Sequence, residues 1–207
     1  KKFANEIGFD NEVIIAGGAG DQAAGASGSG VIFSSQAVIS LGTSGVYFSP
    51  TDNFISNTKE SVHSFCHCMP NTWHHMSVML SATNCINWIS KMFNLSVNDS
   101  MKIIENFSKN NFEDKIAPYF LPYLSGERTP HNNAYIRGSF HLLDTAVNPD
   151  ALLYSVLEGV SFGIKDGFEA VQSVSSIKDK IYLVGGGSKN SFWTDLIASL
   201  LNQPISI

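Results

Sequence analysis

Three glycine-rich turns hold the residues of this 207-residue chain that could do chemistry. The first, AGGAGDQAA at residues 16–24, places Asp21 between glycines and alanines. An aspartate there can cap a helix or accept a proton from a reacting group. Taken alone, the residue type favours the cap. The glycines would also turn backbone amides towards the same point, where an anion is stabilised, so Asp21 is a candidate base.

The other two turns could bind a phosphorylated ligand. In LGTSG, residues 41–45, glycines permit positive φ, and amides with the Thr43 hydroxyl can hold phosphate oxygens, although a plain hairpin turn is the simpler interpretation. GGGSKN, residues 185–190, would let a flat nucleoside lie against the backbone, yet it matches neither G-x-G-x-x-G nor the P-loop. Together, the three turns and one carboxylate fit phosphoryl transfer assisted by backbone amides.

The surrounding sequence predicts the strands and helices of an α/β domain that position these turns. Asn148 and Pro149 are typical of a helix start, with Asn as the N-cap. Four strands, a hairpin at 36–49 followed by 61–68 and 73–79, are predicted in meander order. The other predicted elements are strands at 13–16 and 180–184, helices at 21–31, 81–93, 99–107, 148–174 and 191–202, and an ordered loop at 116–133.

Composition narrows the class of protein. The formal charge is −5 and only 15% of residues are charged, which argues against nucleic acid or an anionic membrane as partners. No apolar run approaches the length of a spanning helix, and three cysteines give no disulfide framework. We therefore expect a cytoplasmic protein.

Further polar side chains have structural interpretations. We expect an ion pair between Glu127 and Arg128, a packed or hydrogen-bonded Glu158, and a solvated face at Lys165 and Asp166. A histidine and cysteine cluster lacks standard zinc spacing, so no metal site is predicted there. Its members are His63, Cys66, His67, Cys68, His74 and His75.

Motifs along nearly the whole chain resemble the C-terminal domain of FGGY carbohydrate kinases, and within that family the xylulose kinases most closely. They are AGGAGDQAAGA, ISLGTSGVYF, VHSFCHCMPNTWHHMSVMLSA, FLPYLSGERTPHNN, LEGVSFGIKDG and LVGGGSKNSFWTDLIASLL. The resemblance implies a ribonuclease-H-like α/β fold of the actin and hexokinase type over residues 1–207, with a mixed sheet flanked by helices. It also implies that an N-terminal sugar-binding domain and a last helix are missing.

The same resemblance implies a reaction and its residues. ATP with Mg²⁺ would phosphorylate D-xylulose to D-xylulose 5-phosphate, and Asp21 would take the proton from the attacking hydroxyl. Asn87 would approach the adenine. Two positions depart from the family pattern: Leu142 stands where a glycine is expected and Ala151 where a polar residue is expected. The contacts implied for ATP are Gly42 and Thr43 at the phosphates, and Gly186, Gly187 and Asn190 at the nucleoside.

Alternatives from other classes stay open. The chain could belong to an FGGY kinase acting on ribulose, gluconate or glycerol, or it could be a non-catalytic remnant that forms dimers or binds a partner through an exposed apolar patch. An NAD-binding domain is disfavoured, because none of the glycine turns has the required spacing. Without the sugar-binding half, we expect the chain to have little kinase activity.

Overall fold

The computed structural model describes residues 2–9, 17–110, 117–175 and 178–207, so the predicted strand at 13–16 lies outside the described residues. The predicted helices and the hairpin are confirmed. The elements are α1 Lys2–Glu6, α2 Asp21–Gly28, β1 Gln36–Leu41, β2 Gly45–Thr51, β3 His63–Cys66, β4 Trp73–Met79, α3 Thr83–Met92, α4 Val97–Asn110, β5 Tyr119–Leu121, β6 Ser139–His141, α5 Pro149–Gln172, β7 Lys180–Val184, α6 Ser191–Leu201 and β8 Ile205–Ser206.

Six strands form a mixed sheet in the order β3-β4-β2-β1-β7-β8, which confirms the predicted α/β class. The predicted meander is wrong, because β2 pairs along its whole length with β4 and β3 lies at the edge. β2 is buried at every position and needs a partner of equal length, whereas β3 has four residues and leaves Phe65 52% exposed. Short, partly exposed strands suit a sheet edge. The predicted loop at 116–133 contains β5, which pairs with β6.

Side chains alternate between two cores on the two faces of the main sheet. In β1, Ile39 and Leu41 face a large core that includes α3, α4, α5 and α6, while Val38 joins a smaller core with Ala23 and Ala26 of α2. Phe48 of β2 belongs to the smaller core as well. The small residues of α2 therefore let this helix lie close against the sheet, as its composition predicts.

The long helix α5 crosses the large core. It begins as predicted: the Asn148 side chain accepts a hydrogen bond from the Ala151 N–H at 2.8 Å, and Pro149 is the first helical residue. A Cβ at Gly159 would collide with the Phe120 carbonyl, so glycine permits the contact between α5 and β5. Within the described ranges, no helix is both long and apolar enough to cross a membrane.

Candidate active site

The two predicted nucleotide turns leave the sheet side by side. β1 and β7 are parallel, with Ser40 opposite Val184, so both strands end at the same edge. Gly185 follows at φ 97°, and a Cβ there would lie 2.6 Å from the carbonyl oxygen of Leu41. Only glycine fits this left-handed position against the backbone of β1. The glycines of GGGSKN thus bring this turn next to LGTSG.

The LGTSG turn is held by the start of α3. The Gly42 carbonyl accepts hydrogen bonds from the Thr83 N–H at 3.1 Å and the Thr83 hydroxyl at 2.8 Å. The Thr43 carbonyl accepts from the amides of Ala82 and Asn84 at 2.9 and 3.3 Å. Thr43 and Ser44 are exposed, and no described residue accepts a hydrogen bond from either amide. The carbonyls are therefore occupied, while the amides and the Thr43 hydroxyl are available to an anion.

A cavity of about 670 Å³ opens between GGGSKN and the helices α3 and α4. Three residues predicted to border a nucleoside line it, as does Asn87. The Asn190 side chain also caps α6, because its oxygen accepts a hydrogen bond from the Trp193 N–H at 2.9 Å. The lining residues are Thr83, Ile86, Asn87, Val97, Asn98, Met101, Lys102, Glu105, Gly186, Gly187, Lys189, Asn190 and Trp193.

The cavity also contains a group of residues that the sequence did not single out. Met101, Lys102 and Glu105 of α4 form part of its wall. Met101 and Glu105 are spaced i and i+4, so the sequence places them on one face of a helix, but this spacing does not indicate which part of the protein that face contacts. Gly42 and Thr43 do not line the cavity, but Thr83 lines it and bonds Gly42, so the LGTSG turn adjoins the cavity.

Asp21 stands on a different element, at the first position of α2. Gly20 is the N-cap and Asp21 is the first helical residue, so the assignment of Asp21 as the N-cap is wrong. The Asp21 carboxylate is exposed and accepts a hydrogen bond from the adjacent Gln22 N–H at 2.9 Å. It does not line the cavity beside GGGSKN. An exposed carboxylate at a helix N-terminus can accept a proton from a ligand that approaches α2.

Glu127 has different partners from those expected. Among the described residues no ion pair joins it to Arg128; its Oε1 accepts hydrogen bonds from the N–H groups of Leu80 at 2.9 Å and Arg128 at 2.7 Å. Glu127 is only 4% exposed, and burial raises its pKa to about 7, although both backbone hydrogen bonds favour the charged form. Sequence reasoning missed this buried carboxylate, because a charged residue next to Arg suggests a surface pair.

Of the other two acidic residues with predicted roles, one prediction is confirmed and one is wrong. The Tyr154 hydroxyl donates to Glu158 Oε1 at 3.1 Å, which confirms the hydrogen-bonded interpretation. Lys165 reaches Glu169 at 3.8 Å. Asp166 lines a second cavity of about 190 Å³ beside Phe162, where burial raises its pKa, so the predicted solvated face is wrong for Asp166.

Two members of the histidine cluster, His67 and His74, pack against Phe48 of β2. His74 stacks on Phe48 with ring centroids 4.4 Å apart, and burial lowers the pKa of His74 to about 4, so the imidazole is neutral at neutral pH. Nε2 of His67 and Nδ1 of His74 are buried and have no hydrogen-bond partner among the described residues. In the part of the chain that the structure describes, no three His, Cys, Asp or Glu side chains are close enough to hold a metal ion.

Comparison with known proteins decides the family. Residues 37–207 match the C-terminal domain of the FGGY family of carbohydrate kinases. The chain belongs to this family. The mixed sheet with flanking helices is accordingly the actin and hexokinase-like fold of FGGY sugar kinases, as the motifs predicted. The match covers both nucleotide turns but begins after Asp21.

Relatives of the chain within the family are longer. The xylulose kinase of Escherichia coli K12 is 42% identical over 204 residues, which are 99% of this chain and 41% of that protein. A crystal structure of a xyloylose kinase from Brucella ovis aligns with a TM-score of 0.87 and 41% identity, covering 99% of this chain and 42% of that one. A gluconate kinase structure from Lactobacillus acidophilus, with TM-score 0.85 and 24% identity over 99% of this chain and 41% of that one, shares the fold.

Of the two departures from the family pattern, one has a structural consequence. Leu142, where the pattern expects glycine, has φ 61° and is 70% exposed. This left-handed conformation favours glycine, so leucine is strained there. Ala151 is buried, and its N–H bonds the Asn148 cap, a contact that needs no particular side chain.

Proposed function

We propose that the chain is the nucleotide-binding part of a cytoplasmic sugar kinase that converts D-xylulose and ATP to D-xylulose 5-phosphate and ADP. The observation that carries this proposal is the cavity of about 670 Å³ between GGGSKN and α4, with the open amides of LGTSG beside it. The xylulose kinase relatives support the choice of sugar. Mg²⁺ would enter with ATP, as part of that substrate.

In this proposal GGGSKN binds the nucleoside of ATP and LGTSG binds its phosphates. The nucleoside occupies the cavity against Gly186, Gly187 and Asn190. The phosphates reach the Thr43 hydroxyl and the amides of Thr43 and Ser44, whereas the Gly42 N–H donates to the Ser44 carbonyl at 3.0 Å. Preorganised amides stabilise the charge of phosphoryl transfer without reorganising.

Asp21 is the base in this proposal. Its carboxylate takes the proton of the attacking sugar hydroxyl, while the hydroxyl oxygen bonds the γ-phosphorus and the bond to ADP breaks. Transfer through a loose transition state needs orientation and a proton acceptor more than a strong base. The exposure of Asp21 supports access by a sugar held on the part of the longer relatives that this chain does not match.

Titration calorimetry with Mg·ATP tests the nucleotide site in the chain itself. We expect saturable heat with ATP and none with a sugar alone, and an absence of heat at millimolar ATP would count against the proposal.

Activity needs the chain joined to the unmatched N-terminal part of the Escherichia coli relative. Asp21→Asn in this fusion should lower D-xylulose-dependent ADP formation by about 10²- to 10⁴-fold, the usual contribution of a general base. Asp150→Asn is the matched control, because Asp150 is also an exposed carboxylate in the first turn of a helix. Activity retained in Asp21→Asn would refute the base assignment.

The sugar and the class of protein have alternatives. The gluconate kinase with the same fold keeps other FGGY substrates open, and assays of the fusion with xylulose, ribulose, gluconate and glycerol separate them. A non-catalytic dimerising module is supported by the exposed side chains of Tyr135, Leu142 and Leu143. Light scattering that shows a dimer, together with no ATP binding, would favour the module.

A further inference from the structure

We propose that Glu127 is a positioning residue for the LGTSG turn, residues 41–45, which is called the phosphate turn below. Glu127 fixes the end of β4, and β4 leads directly into the segment whose amides bond the carbonyls of Gly42 and Thr43. This role presupposes the proposed function, in which Thr43 contacts the ATP phosphates. Glu127 itself touches no ligand.

The first step is the edge of β4. β3 pairs with β4 only as far as Met76, and no described strand pairs with this edge of β4 beyond that residue. Residues 127–129 occupy that edge. The Thr129 N–H donates to the Val78 carbonyl at 3.0 Å, and the Val78 N–H donates to the Thr129 hydroxyl at 3.1 Å. Two positions further on, the N–H of Leu80 donates to Glu127.

The second step leads from Leu80 to the turn. Leu80 follows the last residue of β4, and the amides of Ala82, Thr83 and Asn84 bond the carbonyls of Gly42 and Thr43. Four hydrogen bonds, including that of the Thr83 hydroxyl, join the two segments. A shift at Leu80 therefore moves the donors that keep these carbonyls turned away from the phosphate side.

The third step is the chemistry of the carboxylate. Burying a carboxyl group costs free energy of folding unless hydrogen bonds compensate for the lost hydration. The Oε1 of Glu127 accepts hydrogen bonds from two backbone N–H groups at once. Removing the acceptor leaves the half-buried Leu80 amide without this partner. The groups that face this carboxylate electrostatically are Asp166 of α5, Cys85 of α3 and Tyr123.

Binding of adenosine and Mg·ATP to the 207-residue chain, measured by calorimetry, tests the role. The affinity for adenosine measures binding in the cavity, and the ratio of the ATP affinity to the adenosine affinity measures the contribution of the phosphate turn. Glu127→Ala should weaken ATP binding by about tenfold, the scale of one lost hydrogen bond, and leave adenosine binding unchanged. Glu127→Gln keeps an acceptor oxygen at the same reach and should retain the wild-type ratio.

Two further variants separate positioning from general stability. Glu127→Asp keeps the carboxyl group but is one methylene shorter, so it should lose ATP affinity where Glu127→Gln does not. It also serves if Glu127→Ala fails to fold. Asn57→Ala is the matched structural control. The Asn57 amide bonds the Ala170 carbonyl at 3.3 Å, outside the LGTSG turn and the nucleoside cavity, and its loss should not change the affinity ratio.

The outcomes distinguish this role from the proposed function. If Thr43→Ala abolishes the preference for ATP but Glu127→Ala and Glu127→Asp keep it, the positioning role is wrong and the phosphate turn stands. If the wild-type chain shows no preference for ATP, or Thr43→Ala does not alter it, the assignment of the phosphate turn fails and the role of Glu127 fails with it.

Discussion

Alanine at Gly186 is expected to weaken nucleotide binding without harming the fold. Gly186 has φ −63° and ψ −35°, and a Cβ built there meets no atom of the described residues within 4 Å. Alanine in such a conformation raises the free energy of unfolding by about 0.4–1 kcal/mol, because the unfolded chain loses freedom. The same methyl group would enter the cavity where the nucleoside is proposed to lie. Overpacking costs about 1–3 kcal/mol, so the Kd for ATP should rise at least about fivefold.

The preceding glycine is the matched control, because the same substitution there should have the opposite effect on folding. Gly185 has φ 97°, and its Cβ would lie 2.6 Å from the Leu41 carbonyl oxygen and 2.9 Å from the carbonyl carbon. Backbone atoms cannot move aside as a flexible side chain can. Gly185→Ala should therefore lower the free energy of unfolding by at least about 2 kcal/mol.

Urea denaturation followed by tryptophan fluorescence measures the folding effects, and calorimetry with Mg·ATP measures binding. The reasoning is refuted if Gly186→Ala binds ATP as the wild type does, since the nucleoside would then not contact this glycine. It is also refuted if Gly186→Ala is destabilised as much as Gly185→Ala.

Three further predictions concern the free energy of unfolding, each measured by urea denaturation. The pKa of His74 is about 4 when folded and near 6.5 when unfolded, so the unfolded state binds the proton first. Stability should be full above pH 6.5 and fall by about 2 kcal/mol at pH 5, with the loss reduced in His74→Gln. Asn148→Ala removes the cap of α5 and should cost about 1 kcal/mol, whereas no change would show that the bond to Ala151 contributes little. Leu142→Gly should stabilise by about 1 kcal/mol by relieving the left-handed strain, and a loss of stability would contradict that account.

Local chemistry made much of the fold predictable. The LGTSG hairpin, the Asn148-Pro149 helix start and the turn after KIYLV each depend on residues next to one another in the chain. The order of the sheet does not. The pairing of β2 with β4 depends on the burial of β2 over its full length, and the place of β3 at the edge follows only once that pairing exists.

The candidate site was also predictable only in the parts that depend on neighbouring residues in the chain. The sequence identified Gly186, Gly187 and Asn190, which line one cavity. It could not identify the wall contributed by α4, because an amphipathic helix does not reveal its partner. It also misjudged Glu127, whose hydrogen bond to Leu80 joins residues far apart in sequence.

Successive side chains of β1 point to opposite faces of the sheet, and this explains how one strand can support both the proposed nucleotide site and the proposed base. Ile39 and Leu41 anchor it to the large core, whose helices form the nucleoside cavity, while Val38 packs with Ala23 and Ala26 of the helix that begins at Asp21. The phosphate turn continues directly from the same strand. Because a rigid strand cannot shift one face without the other, the LGTSG turn and the proposed base share one support. A sugar hydroxyl held near Asp21 would then meet a phosphate whose position depends on the same strand.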